Sequence, residues 1–84
     1  MDVRVTPARK PSWFRNVWTL TDLLGCPMGY VIEDTSRQFF IEPCERMHFI
    51  MKKVALGPHP SLDAALTEIE KHSPLVCRRA SGQR

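Results

Sequence analysis

The sequence predicts an α+β fold: a small three-stranded, mostly antiparallel sheet with one C-terminal helix packed on one face. Three observations carry that expectation. Residues 61–72 repeat their apolar side chains at helical spacing. Earlier stretches alternate side chains as strands do. Glycine and proline punctuate the boundaries between them.

Residues 1–11 contain Pro7, Pro11 and scattered charge, and read as an extended basic arm. "SWFRNVWTL" then has strand composition. Phe14, Asn16, Trp18 and Leu20 fall on one side, the more apolar one, and Trp13, Arg15, Val17 and Thr19 on the other. "DLLGCPMG" breaks the run through Gly25, Pro27 and Gly29.

"YVIEDTSRQFFIEP" is a hairpin candidate. With Thr35 and Ser36 as the loop, Ile32 faces Phe39 and Tyr30 faces Ile41, so these four share one face. Val31, Glu33, Gln38, Phe40 and Glu42 then share the other. A loop one residue longer exchanges the two faces. In "CERMHFIMKKVAL", Met47, Ile50, Met51 and Val54 fit helical spacing, while Phe49 and Met51 also fit a strand entering from the hairpin. The extended reading gives a loop over 43–47 and a strand over about 48–55, stopped by Gly57-Pro58.

The helix has the clearest signal. Ser61 is a good N-cap, and Leu62, Ala65, Leu66 and Ile69 follow i, i+3, i+4, i+7. Asp63 suits the positive end of the dipole, Lys71 and His72 the negative end, and Pro74 terminates the helix. "LVCRR" reads as a short last strand. The outward face carries Asp63, Ala64, Thr67, Glu68, Glu70 and Lys71, a net charge of −2. Such a face repels phosphates, so the helix is expected to be a lid on the core and not a groove reader.

Eighty-four residues make one domain, expected over 12–77 with residues 78–84 as a basic tail. Apolar content of 43% and charged content of 25% predict a packed globule. The net charge of +3 is unevenly spread. Residues 1–15 hold +3 and residues 78–84 hold +3, against −3 over 16–77. No apolar run approaches a membrane span, and the first residues lack the apolar stretch of a signal peptide. Cys26, Cys44 and Cys77 are odd in number and widely spaced, as expected of free thiols in a cytoplasmic protein.

Sites for chemistry are sparse. Cys26, Cys44, Cys77, His48, His59 and His72 could each ligate zinc, but no Cys-x-x-Cys or His-x-x-x-His pair anchors a site. Cys26 has no histidine near it in sequence to activate a thiolate. Glu33, Asp34, Glu42 and Glu45 read as a solvated polar face. There is no phosphate-binding glycine loop. No catalysis, cofactor or metal is expected, since so short a chain has little room for both a core and an enclosed pocket.

The order of three strands and then a helix, over about residues 12–72, resembles the layout of the small DNA-binding sheet domains of plant ethylene-response factors and of integrase arm-binding domains. Those domains read DNA with basic sheet residues. Here the hairpin carries Glu33, Asp34 and Glu42 against Arg37. The expected function is therefore a non-catalytic binding module. One helix covers one face of a sheet, and the other face is expected to present Trp13, Val17, Val31 and Phe40 to a protein partner or to a second copy in a homodimer. The alternative is weak, sequence-independent nucleic-acid binding through Arg9, Lys10, Arg15, Arg78 and Arg79, with Trp13, Phe14 and Trp18 interleaved among the bases. No membrane partner is expected.

Overall fold

Val3 and Val5 alternate with exposed Arg4 and are buried to 0% and 3% exposure. This period of two makes Asp2–Ala8 the first strand, β1. In the computed structural model, which describes residues 2–9 and 12–79, β1 is followed by β2 (Phe14–Thr21), β3 (Pro27–Asp34) and β4 (Phe39–Pro43). A 3₁₀ turn (Glu45–Met47), helix α1 (Leu62–His72) and strand β5 (Val76–Arg79) complete the order. The architecture is α+β, with one helix on a five-stranded mixed sheet ordered β4-β3-β2-β1-β5. β1 runs antiparallel to β2 and parallel to β5.

The expected three-stranded sheet is thus extended at both termini. The segment read as an N-terminal arm is a strand within the sheet, because its valines fill the core and its second neighbour comes from the far end of the chain. Pro7 lies past the stretch that β5 pairs, a position where a missing N–H is tolerated. Arg78 and Arg79, read as tail, belong to β5. Met1, Lys10, Pro11 and residues 80–84 lie outside the described residues.

The segment 48–55 is not a strand. Met47, Met51 and Val54 enter the core at helical spacing, through consecutive turns in which Met51 N donates to Met47 O and Val54 N to Met51 O. Their period of three to four residues prevails over the strand reading. The following stretch then runs along β4. Ile41 N donates to Leu56 O at 2.7 Å, and Phe39 and His59 exchange both main-chain bonds at 2.9 and 2.8 Å. This covers the β4 edge.

The β3–β4 hairpin has a three-residue loop, Thr35 to Arg37. Arg37 N donates to Asp34 O, and Arg37 adopts φ of 66°. A turn followed by one left-handed residue is a standard three-residue connection. It shifts the pairing by one residue: Ile32 faces Phe40, and Val31 faces Ile41. The side chains of β3 change face relative to the two-residue reading, while Phe39, Phe40 and Ile41 of β4 keep theirs. Val31, Ile41, Trp18 and Leu20 therefore face the helix, while Tyr30, Ile32 and Phe40 face away. Glu33 comes with Val31 and is largely buried, held by Asn16 Nδ2 at 2.9 Å and by Arg15 Nε at 3.4 Å.

Asp34 fixes this loop. One carboxylate oxygen accepts from Ser36 N, Ser36 Oγ and Gln38 N. Bonds to the Ser36 hydroxyl, the Gln38 amide and the Ser36 amide hold its carboxyl below its ordinary value of 3.8. The ionised form is favoured in the fold. The stabilisation is present above the ordinary value and is lost as pH falls through the lowered one. Asp34→Asn should accordingly lower the melting temperature slightly at neutral pH and flatten its decline on acidification. Identical acid profiles for the two proteins would remove Asp34 from this role.

Helix α1 begins as expected, with Ala64 N donating to Ser61 Oγ at 3.0 Å. Ala65, Leu66 and Ile69 are its buried positions. It touches both edge strands, so the sheet curls about it. Its outward carboxylates are engaged in bonds to neighbouring segments. Glu68 Oε2 accepts from Ala55 N at 3.0 Å, and Glu70 Oε2 from Cys77 N at 2.8 Å.

Candidate functional site

The face of the sheet away from α1 carries a groove of about 360 Å³, open to solvent, with Phe14, Ile32, Phe40 and Leu56 as its apolar walls and Asp34 and Glu42 as its acidic lining. Four local features build it. An irregularity in the β2–β3 register between Phe14 and Asn16 turns Phe14 out of the alternation that Asn16, Trp18 and Leu20 keep. The three-residue hairpin loop places Ile32 opposite Phe40. The main-chain bond from Ile41 to Leu56 carries Leu56 over the β4 edge. Gly57, at φ of 138°, lets that segment approach closely, since a Cβ there would stand 2.9 Å from both Phe39 O and Phe40 Cδ2.

Trp13 stands beside this groove. Its ring meets that of Phe14 edge-on, with centroids 6.1 Å apart, and the residue is 67% exposed. Such a pair is a normal aromatic geometry, but it leaves most of a large apolar ring in water.

The four residues expected on the uncovered face divide. Phe40 lines the groove. Trp13 stands at its side. Val17 lies on the same face between Ala8 and Ile32, already 9% exposed and so with little surface to offer. Val31 was assigned wrongly: it is fully buried under α1, because the longer hairpin loop exchanges the faces. Phe14, Ile32 and Leu56 were missed. The signal for Ile32 was Asp34, a favoured first residue of the turn that this loop contains. Leu56 has no periodic neighbour to announce it.

The basic residues are also redistributed. Parallel pairing of β1 with β5 puts Arg4 in register with Arg78, so the two basic ends meet on one sheet margin. Arg9 is exposed at the end of β1. Two candidate contacts carry acidic partners: Arg15 with Glu33, and Arg78 Nε with Asp2 at 3.1 Å. Lys10 lies outside the described residues, and Arg79 is the last residue of β5.

Among the described residues, no three or more His, Cys, Asp or Glu side chains come together as a metal site. The three cysteines are free. Burial pushes the Cys77 thiol up to about 12, with the Glu70 carboxylate adding to the effect, so it is a poor thiolate nucleophile at neutral pH. No described helix is long and apolar enough to cross a membrane.

Over residues 12–72 the chain does run through three antiparallel strands and a helix, but β1 and β5 flank them and β5 is parallel to its neighbour. That departs from the three-stranded layout the sequence resembles. Comparison of the chain with family models, with curated proteins and with solved structures finds no match in any of the three.

Proposed function

We propose that the protein is a non-catalytic, cytoplasmic binding module that docks protein partners through the outer face of its sheet. The observation that carries this reading is the groove between Phe14, Ile32, Phe40 and Leu56. At about 360 Å³ it sits at the small end of the ~300–1,000 Å³ range of ligand sites. It suits one large apolar side chain of a partner better than an enclosed small molecule. Its ionisable groups are Asp34 and Glu42, which favour lysine or arginine beside that side chain.

The second reading is weak nucleic-acid binding at the β1–β5 margin. The register of Arg4 with Arg78 supports it, and the ion pairs of Arg15 and Arg78 weigh against it. One titration separates the two. A labelled peptide with a central tryptophan flanked by lysine and arginine should bind the full chain at low protein concentration, and its Trp-to-Ser counterpart should not. A mixed pool of labelled single- and double-stranded oligonucleotides should bind weakly and lose that binding between low and physiological salt. Tight, salt-resistant oligonucleotide binding, with no difference between the two peptides, would overturn the assignment.

A further inference from the structure

We infer that the end of the molecule formed by the β2–β3 loop and the turns after β4 docks on an anionic lipid surface, with Leu23, Leu24 and Phe49 entering the interface and Lys52 and Lys53 meeting the headgroups. This surface is separate from the groove and does not depend on how the groove is read.

Leu23 and Leu24 are 58% and 89% exposed, and Phe49 is 78% exposed. A cluster of such side chains in water marks a surface that something else covers. The fold brings the three to one end. Gly29 pairs with Pro43, and Cys44 N donates to Met28 O, so the chain leaves β4 beside the start of β3. Arg46 then joins the turn to the loop: its Nη2 donates to Pro27 O at 3.2 Å and lies 3.7 Å from Asp22 Oδ2. Phe49 and Lys52 follow Arg46 at steps of three, in a stretch whose Met47, Met51 and Val54 fill the core. Arg46, Phe49 and Lys52 therefore share the outward line of these turns. Lys52 Nζ stands over the Phe49 ring, 5.2 Å from its centroid.

The leucines are presented by a built loop. Asp22 Oδ1 accepts from Leu24 N and from Cys26 N, both at 2.9 Å, while Asp22 N donates to Cys26 O and Gly25 N to Asp22 O. A loop already fixed in this way loses little further entropy when it docks.

Shape and charge identify the partner. At 89% exposure Leu24 projects from the loop. The anchors of a protein interface sit in packed pockets, whereas a fluid bilayer interface takes a projecting side chain without a matching slot. The charges fit headgroups. Arg46 neutralises Asp22, which leaves exposed Lys52, Lys53 and Arg4, the last in register with Thr21 beside the loop, against Glu45. Apolar insertion with an excess of cations holds peripheral proteins on anionic lipids, which the cytoplasmic leaflet carries. No membrane partner was expected because the chain has no long apolar run, but a run is needed to span a bilayer and not to lie on one.

The test is flotation of the full chain with vesicles of phosphatidylcholine alone and of phosphatidylcholine containing about a third phosphatidylserine. The chain should float with the anionic vesicles and not with the neutral ones, and binding should weaken as salt rises. Leu24→Ser and Phe49→Ser should each weaken it roughly tenfold with unchanged circular dichroism, since both side chains already lie in water. Lys52→Glu combined with Lys53→Glu should abolish it. Trp13→Ala, at the other end of β2, should bind as the parent does. Equal binding to the two kinds of vesicle overturns the inference, as does binding that Leu24→Ser and Phe49→Ser leave at the strength of the parent. A chain that floats with neither overturns it too, and leaves Leu23, Leu24 and Phe49 to a protein surface.

Discussion

Leu66→Asp is expected to unfold the protein. Leu66 is 6% exposed on the inner stripe of α1, within the core that includes Val31, Ile41, Ala65 and Ile69. A carboxylate there has no cation to pair with in an apolar cluster, a cost of several kcal/mol. An 84-residue domain buries only about 60–65% of the surface of its unfolded chain and is stable by a few kcal/mol, so the substitution exceeds what the fold holds in reserve. Thr67→Lys, one residue on and exposed, should change the melt by no more than about 0.5 kcal/mol. Circular dichroism melts of the two variants decide the matter. Equal, unperturbed melts would show that α1 does not cover the core.

Gly29→Ala should be nearly as severe. Gly29 is buried in β3 at φ of 155°, opposite Pro43. A Cβ at this position would stand 2.7 Å from Glu42 O and 3.0 Å from Pro43 Cα, both main-chain atoms that cannot swing aside. The backbone conformation is one that alanine resists, so strain adds to the clash. A loss of roughly 2–4 kcal/mol is expected, most of the stability of so small a domain. Gly25→Ala is the informative companion. Gly25 has φ of 85° but open space around its Cβ position, so it carries the strain without the clash. Urea denaturation should rank the parent first, Gly25→Ala second and Gly29→Ala last. A reversal of the two variants would contradict the close approach of β3 and β4 at this point.

What the sequence made legible follows from how far each signal reaches. Helix α1 was readable to its cap because Ser61, the stripe from Leu62 to Ile69 and Pro74 are local features that agree with one another. β5 was readable as an apolar run after a proline, but its partner was not. Parallel pairing of Asp2–Val5 with Val76–Arg79 joins residues from opposite ends of the chain, and no local pattern encodes it. Two prolines and three cations made residues 1–11 look like an arm, while the alternation of Val3 and Val5 carried the strand. The candidate site was half legible for a single reason. Phe40 and Val31 were both placed on the uncovered face by composition, and the loop from Thr35 to Arg37 decided which of them stays there. A difference of one residue in a turn moved Val31 into the core and put Ile32 in the groove. Leu56 reached the site through main-chain bonding to Ile41, which side-chain patterning does not report.

The central claim is that the outer-face groove is where this protein meets another protein surface. Backbone amide and indole chemical shifts of the uniformly labelled full chain, followed as the tryptophan peptide is added, test it most directly. The account predicts progressive shifts at Trp13, Phe14, Ile32, Phe40 and Leu56, with Arg4, Arg78 and the exposed side of α1 unmoved. Shifts confined to the β1–β5 margin, or a spectrum unchanged at every peptide concentration, would contradict it.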